Sequence, residues 1–179
     1  MTWSASELVN FSPATDAPRA VHTQVAQLTT ADEGIITSRV LHNLARVTAV
    51  TSGYTRARWL DARVIIVPAA ALVNSAVVVS CAFGPDNVAP LDVASQNEVP
   101  TCTFRTGGGD GVLPPVFTFA VSFQDAGTSE LIRPAPVELQ RTCMSITFDT
   151  APASDNEIED GATLFTIFLA GHISVGGTA

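Results

Sequence analysis

The chain has 179 residues, is 46 % hydrophobic but only 15 % charged, and carries a formal net charge of −8. Its length suits one domain with a sizeable core, and its charged content falls below the roughly 25 % of ordinary soluble proteins. A folded monomer of 18.7 kDa exposes about 8,300 Å², so its formal charges are spread at about one per 320 Å², sparse for a surface that meets only water. Coverage of much of the surface by other subunits explains the deficit. With no long apolar run and no signal-type leader, membrane insertion is not expected to explain it. All nine basic residues are arginine, against seventeen acids, and no run of them forms the basic stripe of a nucleic-acid reader.

In chain order, residues 1–20 lack periodicity and read as an N-terminal arm, with Trp3, Leu8, Val9 and Phe11 among Ser, Pro and Ala. Asn10-Phe11-Ser12 matches a glycosylation acceptor, whose use would need a secretory route. Residues 21–179 read as the folded domain. Residues 21–30 alternate as a first strand, Asp32-Glu33-Gly34 turns the chain, and residues 35–40 suit a second. Val40, Leu44 and Val47 recur at helical spacing, predicting a short helix over 41–50 closed by Ser52-Gly53. Residues 59–67 alternate with period two. Leu60, Ala62, Val64 and Ile66 are assigned to one face, and Trp59, Asp61, Arg63, Ile65 and Val67 to the other. Residues 76–83 are apolar on nearly both faces and stop at Gly84-Pro85, as in a strand covered on both sides.

Residues 89–95 suggest a helix of one or two turns with Pro90 near its first position. A brief strand over 101–105 runs into Gly107-Gly108-Gly109-Asp110-Gly111. The clearest strand spans 116–123, with Phe117, Phe119, Val121 and Phe123 inward. A linker with Pro134 and Pro136 leads to 143–148, where Met144, Ile146 and Phe148 alternate with Ser145 and Thr147. An acidic loop over 155–161 precedes a last strand over 164–170 that extends toward Val175. The fold class is therefore all-β: an eight-stranded antiparallel jelly-roll β-sandwich with one or two short helices in the strand crossings.

The central stretch carries a family resemblance. Tyr54 followed by Arg56-Ala57, the strand ending Ile65-Ile66-Val67-Pro68, and the valine-rich strand running into Pro85-x-Asn87-x-x-Pro90 resemble the fourth and fifth strands of tymovirus coat proteins. Thr55, Arg58 and Phe83-Gly84 depart from that pattern, as in a distant member. The resemblance covers about the last 150 residues and rests on order and spacing. It implies a coat protein that self-assembles into a quasi-equivalent, T=3 icosahedral shell around a positive-strand RNA genome. It also implies a virion built in the host cytoplasm, and polyamines or other small cations neutralising the RNA inside the particle.

Chemical motifs are scarce. The glycine run lacks the Gly-Lys-Ser/Thr that catches a phosphate. Asp155, Glu157, Glu159 and Asp160 are weak candidates for a metal, since hard cations take several carboxylate oxygens; a solvated loop is the alternative. His22, His42 and His172 are scattered, and no catalytic signature appears, so neither enzyme activity nor a cofactor is expected. Cys81, Cys102 and Cys143 read as free buried thiols. Trp59, Asp61 and Arg63 are candidates for a subunit interface, combining an apolar anchor with a charge pair. His22 and His42, histidines able to gain a proton in acid, are candidates to face RNA, which the chain is expected to bind weakly and without sequence specificity. The main alternative is a carbohydrate-binding or other jelly-roll interaction module, for which only Trp3, Tyr54 and Trp59 offer aromatic surface.

Overall fold

The computed structural model describes residues 18–123, 141–152 and 157–178. Among these residues eight strands run in chain order: β1 (Pro18–Thr29), β2 (Thr37–Val40), β3 (Tyr54–Pro68), β4 (Ser75–Pro85), β5 (Thr103–Gly108), β6 (Phe117–Ala120), β7 (Thr142–Pro152) and β8 (Thr163–Thr178). They form two four-stranded antiparallel sheets, ordered β1-β8-β3-β6 and β2-β7-β4-β5. The first strand pairs with the eighth, the second with the seventh, the third with the sixth and the fourth with the fifth. This nesting is that of one long hairpin rolled over on itself, which is the jelly roll expected from the sequence. The central pair of strands is β3 and β4 among the described strands.

The arm and the linker with Pro134 and Pro136 lie outside the described residues, apart from residues 18–20. Those three belong to β1, so the first strand starts before position 21. A helix α1 (Ala45–Thr51) follows a 3-10 turn at Leu41–Asn43, splitting the single helix expected over 41–50. The second helix, α2 (Val93–Asn97), starts beyond Pro90. Asp92 caps it by accepting a hydrogen bond from the Ser95 N–H at 2.7 Å, and a capping aspartate outweighs a proline's mild preference for the first turn.

Burial between the sheets drives the fold. Val64, Ile66, Val79, Ile146, Phe165, Ile167 and Leu169 are wholly buried, and Phe148 meets Phe165 edge-on at 5.0 Å. Each such side chain contributes about 1.5–3 kcal/mol by leaving water. Phe117 and Phe119 are inward as expected, although β6 ends at Ala120.

The alternation expected along β3 breaks at Leu60. A β-bulge between Trp59 and Asp61 shifts the strand by one residue, and a shift of one exchanges the two faces. Trp59 (2 % exposed) therefore joins the core while Leu60 (46 %) turns out. On β8, Gly171 makes room for the bulge. A Cβ there would collide with the Asp61 carbonyl, stand 2.9 Å from the Ala62 Cα and press on the Trp59 ring.

Candidate interaction surface

The described residues present two outer sheet faces and an end where the β1–β2, β3–β4, β5–β6 and β7–β8 connections lie. On the second sheet, the crossing between β4 and β5 closes over the outward side chains of β4 and β7. Gln96 of α2 is fully buried and fastens the crossing to the sheet. Its Nε2 donates to the Ser145 carbonyl at 2.9 Å, and its Oε1 accepts from Ser80 Oγ at 3.0 Å and Thr147 Oγ1 at 2.7 Å. Ser145 and Thr147 are buried for this reason, rather than facing solvent as period two alone suggests. Where the crossing does not reach, Val78 and Phe104 stay exposed.

The outer face of the first sheet carries no such crossing among the described residues. Pairing across β1, β8, β3 and β6 sets its side chains in rows. One row runs His22, Ala170, Arg63, Ala120; the next runs Gln24, Phe168, Ile65, Thr118. Toward the other end come Ala20, His172 and Asp61, then Ser174 with Arg58, then Gly176 with Arg56. Arg56, Arg58 and Arg63 are all exposed. Small neighbours, Ala20, Ala120, Ala170, Ser174 and Gly176, keep the surface beside them low. His172 Nδ1 lies 2.9 Å from the Asp61 carboxylate, and the His22 ring stacks on Phe168 with centroids 5.2 Å apart.

In the linear order the three arginines are spaced along a single strand. Pairing across the sheet, invisible in the linear order, gathers them beside His22 and His172. Of the proposed interface trio, Asp61 and Arg63 are on this face and Trp59 is not, because the bulge turns it inward. Of the two histidines expected to meet RNA, His22 is exposed, whereas His42 is only 6 % exposed, buried in the turn before α1.

The opposite charge gathers at the loop-bearing end, where the β1–β2, β3–β4, β5–β6 and β7–β8 connections meet. It holds Asp32, Glu33, Asp110, Glu157, Glu159 and Asp160. Glu33 accepts from both the N–H and hydroxyl of Thr150, Thr30 Oγ1 accepts from the Gly161 N–H, and Asn74 Oδ1 accepts from the Gly111 N–H. The glycine run is a tight turn here, with Gly108, Gly109 and Gly111 all at positive φ. Ile35, Val73, Val112, Leu113 and Val116 are exposed at this same end. Asp155 lies outside the described residues, and no three His, Cys, Asp or Glu side chains among those described are placed to hold a metal ion.

The aromatic candidates do not form an exposed strip. Trp59 is core, Tyr54 is half-buried under Arg19, whose guanidinium donates to its hydroxyl, and Trp3 lies outside the described residues. The cysteines are free. Burial raises the thiol pKa of Cys81 and Cys143, and less buried Cys102 is raised for the same reason.

No protein-family model matches the chain, and no curated protein matches its sequence. Solved structures do match. Turnip yellow mosaic virus superimposes with a TM-score of 0.71 at 15 % identity, covering 91 % of this chain and 94 % of that chain. Desmodium yellow mottle tymovirus gives 0.68 at 10 % identity, covering 91 % and 87 %. A subviral particle of the Penaeus vannamei nodavirus capsid protein gives 0.56 at 16 % identity, covering 91 % and 97 %. The chain folds as a tymovirus-like viral jelly roll.

Proposed function

We propose that the chain is the coat protein of a small RNA virus and closes, as many copies of itself, into a quasi-equivalent T=3 icosahedral shell. The observation that carries this reading is the match to viral particles over nearly the whole of both chains. The surface supports it: a charge-poor chain exposes five large aliphatic side chains at one end, where copies packed around an axis would remove them from water. The role is structural rather than catalytic, and the protein is a virion component, assembled in the host cytoplasm.

The genome is a partner bound without sequence preference. At −8 per chain the shell adds negative charge to an anionic cargo, so polyamines or other small cations inside the particle carry most of the neutralisation. Purified chain run on a sizing column is the test: megadalton particles are expected, and a monomer at all concentrations would refute the reading.

A further inference from the structure

We infer that the outer face of the first sheet is the surface that meets RNA, with Arg56, Arg58 and Arg63 on phosphates and the stacked His22–Phe168 pair under bases. The inference builds on the coat-protein reading and assigns the inward face of the shell, which that reading leaves open.

Charge placement is the first argument. Asp61 is the one acid on this face among the described residues, and it is already engaged by His172. The other described acids are in the loop-bearing end, on β7 or in the crossing over the second sheet. A chain of net −8 thus presents one face on which arginines outnumber acids three to one. A polyanion approaching the loop end is repelled; approaching this face, it meets guanidinium forks that suit phosphate oxygens.

Shape and chemistry are the second. Alternate residues of an extended strand stand about 6.6 Å apart on one side, so Arg56 and Arg58 form successive steps beside a floor of Ser174 and Gly176. Further along, the half-buried Phe168 ring and the exposed His22 ring stack at an interplanar angle of 23°, offering a flat π surface. Aromatic platforms beside cationic side chains are how single strands are held without sequence readout. A subunit contact is the rival occupant, but interface cores are depleted in charge and built on large apolar anchors. Here the residues paired directly with the arginines are Ala, Ser and Gly, and Leu60, Ile65 and Phe168 are the large apolar side chains beside them.

The test is titration of a fluorescent oligouridylate with the full chain, kept below its assembly concentration, over a series of salt concentrations. For the triple variant Arg56→Gln, Arg58→Gln, Arg63→Gln, affinity is expected to fall at least tenfold, and the slope of log K against log salt to shrink by about 2. Arg39→Gln, on the second sheet, is expected to match the parent. Phe168→Ala is expected to weaken binding severalfold with an unchanged salt slope. Equal binding by the triple variant and the parent would overturn the inference, as would absence of binding by the parent at low salt. A triple variant that binds RNA like the parent yet fails to form particles would assign the face to a subunit contact instead. Whether the parent forms particles is read separately by microscopy, so a failure of the coat-protein reading is not confused with a failure of this one.

Discussion

The two outer sheet faces come from the same winding of one hairpin, yet among the described residues one is covered by a crossing and the other is not. On the second sheet, the outward residues at the centre are small and able to hydrogen-bond: Ser80, Ser145 and Thr147. A crossing segment lies over them because Gln96 satisfies its amide against that face. Burying such groups without partners would cost about 1–3 kcal/mol each. On the first sheet, the outward residues include three arginines whose charge resists burial, and no described segment crosses over them. The polarity of the outward positions thus tracks which of the two faces the described chain covers.

Trp59→Ala is expected to destabilise the folded chain by about 3–5 kcal/mol, because the bulge sets the indole inside the sandwich; chemical denaturation measures this. A loss under 1 kcal/mol combined with weakened particles would instead restore Trp59 to an interface. Gln96→Ala comes next. Ser80 and Thr147, 2.6 Å apart, can turn one hydroxyl to donate to the other, but the Ser145 carbonyl loses its side-chain donor and a cavity opens. A cost of about 2–3 kcal/mol is expected, with faster amide exchange in α2 and no change in exchange across β1 and β8.

Smaller effects sharpen the same contrast. Asp92 is held below the usual aspartate value, mainly by the backbone hydrogen bond from Ser95 and then by the Ser95 side chain. A depressed folded-state pKa gives stability that is present above the ordinary value of 3.8 and is lost as pH falls through the lowered one. Protection of the α2 amides, taken relative to their intrinsic exchange rates, is therefore expected to fall below about pH 3.8, and Asp92→Asn to remove that pH dependence. Thiol labelling gives the mildest readout. The half-buried Cys102 is expected to react before Cys143, and Cys81 last, because burial suppresses its thiolate.

Much of this architecture was legible in the linear order. Strong alternation in residues 62–67 and 117–119 and the unbroken apolar run of 76–83 marked strands and their faces, and turn residues marked most breaks. The bulge at Leu60 was not legible. Its requirement sits 111 positions away, at Gly171, and local period two carried Trp59 to the wrong face. The burial of Ser145 and Thr147 was hidden for a similar reason, since their cover is a glutamine from another segment. The candidate surface was half legible: the arginines were visible in β3, but their neighbours His22 and His172 arrive only through pairing with β8 and β1.

If protein contacts alone close the shell and the arginine-bearing face looks inward, imaging and reconstruction of particles made by the chain expressed without its genome will show closed icosahedral shells with Arg56, Arg58 and Arg63 lining the cavity. Shells that appear only when nucleic acid is supplied, or shells in which that face is sealed between subunits, would contradict that arrangement.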